Sequence, residues 1–405
     1  MRISIRIQLM VMMFLQFFTW GAWYGQMSKY LLTGLKASGD HVGNAYATFS
    51  IASIIAPFFI GMIADRFFAA QKVMGILSLM GSAVLFFLIQ TTDPNEFFWY
   101  ILAYTLCFAP TLALSSSIAM NQMETPEKEF PGIRVLGTIA WIVVTNIIGF
   151  YGLGDQVIIF KISMVSSFIW GIYSFFLPNT PPKATGKVSI SQILGLDALV
   201  LFKDRSFLIF FISSVLICIP LSFYYAMANP SLTESHMTNV ENKMSLGQFS
   251  EVIFMLLIPL AYSRLGVKKM LIIGLLAWIT RFVCFGYGDA NTTEWMLYLA
   301  IILHGVCYDF FFVTGQIYTD NKAGAKIKNS AQGLITLATY GIGMGIGSKI
   351  SGLVLDKYTT LDPVTQASIH NWTSIWMVPA GIAIVVLFLF IIFFNDRKKA
   401  VTAEI

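Results

Sequence analysis

Glu251 is the only charged residue between Met244 and Ser263, in the run MSLGQFSEVIFMLLIPLAYS. Gln248 precedes it by three positions and shares its face if the run is helical. A charge left in hydrocarbon is costly, so an ionisable residue in such a run is expected to face a cavity or a partner and to mark an ion or solute path. The run WMLYLAIILHGVCYDFFFVTGQIYT also carries a single acid, Asp309, with His304 upstream and Tyr308 one turn beyond that histidine. A third set, Arg134, Thr138 and Trp141 in FPGIRVLGTIAWIVV, is spaced to put cation, hydroxyl and ring on one helical stripe. Two of these have a plainer reading too. Arg134 could snorkel to an interface, and His304 could be a hydrogen-bonded interior group.

These residues need helices in a bilayer to position them. The chain of 405 residues is 57% hydrophobic and 12% charged, with mean hydropathy +0.73, far from the makeup of a soluble domain. A spanning helix takes about 20 mostly apolar residues, and twelve such segments are expected, centred near Phe17, Ile51, Leu79, Thr105, Trp141, Ser167, Val215, Phe254, Leu276, Val306, Leu337 and Leu387. The first apolar stretch runs to Tyr30 without a small-residue cleavage site, so the first helix is expected to stay in the mature protein. Eighteen of the 26 Lys and Arg residues fall on one set of loops and five on the other. That bias places both termini in the cytoplasm and accounts for the net charge of +5 without a nucleic-acid partner.

The stretch PNTPPKATGKVSISQILGLDALVLFKDR, from Pro178 to Arg205, divides the segments six and six. The expected organisation is a six-helix half at 1–178, a cytoplasmic linker at 179–205 and a second six-helix half at 206–405. A proline and a short basic loop recur after the second and eighth segments, an echo that suits a transporter built from two repeats with its site between them. In the seventh segment, Pro220 and Pro230 bracket Ser222, Tyr224, Tyr225 and Asn229, and the two tyrosines are read as either pocket or packing residues. The first segment adds Gln16, Trp20 and Trp23. The glycines between Gly341 and Gly352 are read as a close helix contact.

Hydrolase, zincin and phosphate-loop signatures are missing. Cys107, Cys218, Cys284 and Cys307 lie in apolar segments without CxxC spacing, and the four histidines lie on separate segments. No enzyme activity, metal or cofactor is expected.

The loop GMIADRFFAAQK resembles the GxxxDRxGR[RK] signature of the major facilitator superfamily, which makes Gly61, Asp65 and Arg66 a gating loop. Six further strings, LQFFTWGAW, FPGIRVLGTIAW, GQFSEVIF, LAWITRFVCFGYGD, HGVCYDFFFVTG and SAQG, follow one another along the chain in the order and on the segments of the bacterial nucleoside:proton symporter family, which the chain therefore resembles. The resemblance implies a monomeric, multi-pass protein of the bacterial inner membrane that imports a nucleoside with a proton by alternating access. It implies a substrate site at Arg134, Thr138, Trp141, Gln248, Glu251, His304 and Tyr308, to which the pocket reading of the seventh segment adds Tyr224 and Tyr225, with proton coupling through Asp309, Glu251 and Arg134. Glu251 and Gln248 would hydrogen-bond the ribose, and Asp309 and Arg134 could pair across the halves. Ser222, Tyr224 and Tyr225 stand where amides occur in relatives, and Trp141, His304 and Tyr308 depart from the expected aromatic residues, leaving the preferred solute open. Another small polar solute, or export by the same acids, is the alternative.

Overall fold

A computed structural model describes residues 2–59, 68–123, 126–181, 196–365 and 368–395. The loop residues Gly61, Asp65 and Arg66, and most of the expected linker, lie outside the described residues. Eight of the described helical runs are long and apolar enough to cross a membrane, and the chain is a mostly helical membrane protein. In hydrocarbon every backbone N–H and C=O must be satisfied within the segment, which is what a helix does.

The first six helices are α1 (Ile3–Trp23), α2 (Gly39–Phe59), α3 (Ala70–Leu88), α4 (Pro94–Asn121), α5 (Pro126–Phe150) and α6 (Ile158–Ser174). A short continuation of α1, Met27–Lys29 and the π-helical Tyr30–Gly34, leads to α2. After a 3-10 turn at Leu196–Lys203 comes α7 (Arg205–Glu234). The run Val240–Tyr287 is broken at Gly266, whose φ of 70° and ψ of 170° suit only glycine, and so forms α8 (240–265) and α9 (267–287). Gly324, with φ 65°, makes the same break between α10 (294–323) and α11 (328–357). The last helix is α12 (Trp372–Phe393). Starts are set by caps: Asp93 accepts from the N–H of Asn95 at α4, Asp204 from those of Ser206 and Phe207 at α7, and Asn371 from that of Ser374 at α12.

Within the first six helices, α1 packs on α5 and α6, α3 on α4 and α6, and α2 on α4; later in the chain, α7 packs on α11 and α12, and α8 and α9 pack on α10. The most extensive contacts between the groups are those of α2 with α11 and α5 with α8. The first is a contact of bare backbones. A Cβ at Gly39 would lie 2.6 Å from the carbonyl oxygen of Gly352, and one at Gly43 would strike the carbonyl of Ser348. On its other side α11 packs equally closely on α7, with Gly343 against Val215 and Cys218 and Gly347 against Ile219 and Ser222. The glycines of this helix therefore serve close packing. Lys349 pairs with Asp40 and donates to Asn44 Oδ1 at 3.1 Å, while Asp356 accepts from the backbone of Gly39 and Asp40 at 2.7 and 2.8 Å.

The second contact is polar. Asn242 Nδ2 donates to Asn146 Oδ1 at 2.8 Å, and Asn146 Nδ2 to Ser245 Oγ at 3.1 Å. Both contacts involve the starts of α2 and α8 and the ends of α5 and α11, so they close one and the same end of the bundle.

Candidate functional site

The groups of helices enclose a cavity of about 140 Å³. Its wall takes Phe17 and Trp20 from α1, Tyr24 just beyond it, Phe49 from α2, Arg134, Thr138 and Trp141 from α5, and Tyr225 from α7. Gln248 and Glu251 come from α8, His304 and Tyr308 from α10, and Tyr340 and Met344 from α11. The i, i+4, i+7 spacing on α5 and the i, i+3 spacing on α8 thus point inward, as expected of polar groups on otherwise apolar helices.

One side of the cavity is aromatic. Trp20 stacks on Phe49 with centroids 5.2 Å apart and meets Trp141 edge-on at 5.5 Å, and Tyr24 meets Tyr225 at 5.2 Å. The Arg134 guanidinium lies 3.9 Å above the Phe17 ring, a cation–π contact. On the other side the hydroxyls of Tyr308 and Tyr340 are 2.9 Å apart. Tyr308 immediately precedes the π-helical segment Asp309–Val313, and Tyr340 lies inside a second one, Leu337–Gly343. Such wide turns often occur at functional sites, and here they flank the Tyr308–Tyr340 contact.

Glu251 keeps 21% of its side chain exposed, and its Oε2 is 3.8 Å from His304 Nε2. Asp309 does not reach the cavity wall. It is fully buried in α10, and neither carboxylate oxygen has a hydrogen-bond partner. Arg134 and Asp309, expected as a possible pair, form no ion pair in this conformation, since Arg134 is turned to Phe17.

Tyr224 and Tyr225 part company because neighbours on a helix point about 100° apart. Tyr225 faces the cavity, whereas Tyr224 turns to Arg281, whose guanidinium sits 3.8 Å from the Tyr224 ring centroid. Ser222 bonds the carbonyls of Cys218 and Met344 and so joins α7 to α11. Gln16 donates to Thr111 at 3.3 Å, and Trp23 is buried against Tyr104. Both are packing groups here.

Phe49, Tyr24, Tyr340, Met344 and Arg281 had no place among the sequence candidates. The first four carry no charge, and apolar spans are full of such residues. Arg281 carries the signal that marks Glu251, a charge in an apolar run. It is 0% exposed.

The cavity is unequally closed. Towards the end shut by the α2–α11 and α5–α8 contacts only about 30 Å³ of space continues, bordered by Gln26, Asn229 and Glu241. Towards the other end a chamber of about 350 Å³ adjoins it, bordered by Ser53, Pro57, Ser115, Ser116 and Thr336 and sharing Arg134 and Tyr340 with it.

Residues 1–399 match the family model described as nucleoside H+ symporter. YegT of Escherichia coli K12 is 41% identical over 405 residues, covering 98% of this chain and 95% of its own. The xanthosine permease of Escherichia coli K12 is 34% identical, with 98% and 96% covered. The nucleoside permease NupG of Escherichia coli K12 is 31% identical, with 98% of each covered, and a crystal structure of the nucleoside transporter NupG matches with a TM-score of 0.87 over 98% of this chain and 100% of that one. With nearly its whole length matched, this chain is a transporter rather than an enzyme and belongs to the nucleoside H+ symporter family.

Proposed function

We propose that the protein imports nucleosides together with protons across the bacterial inner membrane by alternating access. The observation that carries this reading is the placing of Glu251, Gln248, Arg134 and Thr138 in one cavity with the rings of Trp20, Phe49, Trp141, Tyr225 and Tyr308. A nucleoside offers a flat base for stacking and a ribose whose hydroxyls donate and accept. Rings meet the base; a carboxylate accepts from a hydroxyl, and an amide can do both. His304 and Arg134 supply further donors.

In this reading the chain crosses the membrane twelve times as two six-helix halves, 1–178 and 206–405, joined by the linker 179–205, with both termini cytoplasmic, and works as a monomer. The α2–α11 and α5–α8 contacts then shut the periplasmic side, and the larger chamber opens inward past Arg134. Asp309 is the proton site. A buried carboxylate without a counter-cation is tolerated when protonated, and on losing the proton it needs a partner. Arg134, which among the described residues is turned to Phe17 and pairs with no carboxylate, is the cation that could answer it as the halves move.

The test is uptake of labelled uridine or adenosine into liposomes holding the purified protein. An inward proton gradient should accelerate uptake and drive accumulation. Uptake indifferent to the gradient, or a nucleoside panel that leaves the melting temperature unmoved, would overturn the reading.

A further inference from the structure

Arg281 is a buried cation held against aromatic rings. Among the described residues no carboxylate comes within ion-pair distance of it; instead its guanidinium lies 3.8 Å from the Tyr224 ring centroid, with the Trp278 and Phe285 rings at 5.5 Å. Nε donates to the carbonyl of Ala300 at 2.6 Å, and Nη1 approaches His304 Nδ1 at 3.0 Å. Three aromatic faces and three acceptors, the third being Cys307 Sγ at 3.7 Å from Nη1, hold this group on the far side of the histidine from the cavity.

The chemistry of the 3.0 Å contact has one solution. A guanidinium has five N–H donors and no acceptor, so Nδ1 of His304 must offer its lone pair. The single ring proton is then on Nε2. An imidazolium, with hydrogens on both nitrogens, is incompatible with the contact. Nε2 is the atom that faces Glu251 Oε2 at 3.8 Å, and both residues line the cavity. The wall therefore offers an N–H donor beside a carboxylate acceptor.

We propose that Arg281 is a specificity-determining positioning residue, which fixes His304 as a neutral Nε2–H donor so that His304 and Glu251 together read a vicinal diol. One hydroxyl donates to Glu251, and the oxygen of its neighbour accepts from His304. The inference rests on the nucleoside reading for the identity of the diol, the 2′ and 3′ hydroxyls of ribose. It does not depend on that reading for the tautomer. The groups turned to His304 from the packed helices are Arg281 on α9, Glu251 on α8 and the rings of Tyr224 on α7 and Tyr308 on α10.

Nitrogen-15 NMR of histidine-labelled protein in lipid nanodiscs, with the His304 signals assigned by their loss in His304→Gln, reads the tautomer without any ligand. The expected pattern is a neutral ring with the proton on Nε2, replaced by mixed tautomers in Arg281→Met and retained in Arg281→Lys. A wild-type ring protonated on Nδ1 or on both nitrogens, or an unchanged pattern in Arg281→Met, would overturn the proposal. Binding of uridine, 2′-deoxyuridine and 3′-deoxyuridine then tests the diol. Loss of one hydrogen bond weakens binding by about tenfold, and for one of the two deoxy analogues this penalty should disappear in Arg281→Met. Because removal of the buried arginine could unfold the protein, His304→Asn, too short to reach with its amide, is paired with His304→Gln, which places an N–H near Nε2. The penalty should survive in the glutamine variant and vanish in the asparagine variant; equal penalties in both refute the idea. If wild-type protein binds no nucleoside, the functional reading fails while the NMR result stands, and the reverse outcome sinks the tautomer alone.

Discussion

Lys29 Nζ stands 2.9 Å from Glu241 Oε1, an ion pair in which the two side chains keep 15% and 4% of their surface. It ties the continuation of α1 to the start of α8. Asn229 Nδ2 adds a donor to the same oxygen at 3.3 Å, so the carboxylate is held from two helices at the closed end.

Removing the cation should loosen that end. Breaking a buried pair from one side costs on the order of 3–5 kcal/mol, and Lys29→Met would charge it to this conformer alone. Spin labels at the exposed Ser38 and Lys357 should report a longer distance in the variant than in the parent. Identical distance distributions would show that the pair does not hold the end shut.

Glu251→Gln should abolish the rise in melting temperature on adding nucleoside, while leaving the unliganded melting temperature within a few degrees of the parent. Gln248→Ala should weaken binding by about tenfold, the size of one lost hydrogen bond. Thermal shift and equilibrium binding check both. Normal transport by Glu251→Gln would remove the carboxylate from the substrate site.

Asp309→Asn should separate accumulation from exchange. With the buried acid replaced by an amide, gradient-driven uptake falls severely, while exchange of internal for external nucleoside, which needs no net proton movement, persists. Flux in liposomes with and without a gradient measures the two. Equal loss of both would assign Asp309 to folding or substrate contact.

Asp204, outside the spans, gives a prediction in pH. Burial opposes its ionisation, but the Lys322 bond at 2.8 Å and the backbone N–H groups of Phe207 and Ser206 outweigh this and hold its carboxyl below the usual range. A lowered value means stabilisation that is complete above the unfolded pKa, about 3.9, and is lost as pH falls through the folded one. The group is partly exposed, so cap and pair together are worth about 1 kcal/mol. Asp204→Asn should melt a few degrees earlier at neutral pH, the gap narrowing below about pH 4; a gap constant with pH would exclude the ionised cap.

Charged and amide residues isolated in apolar runs were the legible part of the site. Glu251, Gln248 and Arg134 stood out because hydrocarbon makes such residues expensive. Tyr340 and Phe49 could not stand out, since the cavity selects them by place and not by type. Tyr224 and Tyr225 show the limit of one-dimensional reading: one line of sequence gave both the same standing, and a 100° step sent one to the cavity and the other to Arg281. The helical segments were legible from apolar length. The wide turns at Asp309–Val313 and Leu337–Gly343 were not, because an added residue per turn leaves no mark in a 3.6-residue pattern.

At the closed end the contact between α2 and α11 is made by glycine backbones beside Leu355, edged by Asp40, Asn44, Lys349 and Asp356. When it parts, the glycines bare no side chain and the charged edge is readily hydrated, so the penalty of about 25 cal/mol per Å² of bared apolar surface falls on few groups, Leu355 among them. A leucine-lined join of the same length would act as a latch. This one behaves as a valve seat, tight enough to seal when pressed together and without the adhesion that would slow each cycle.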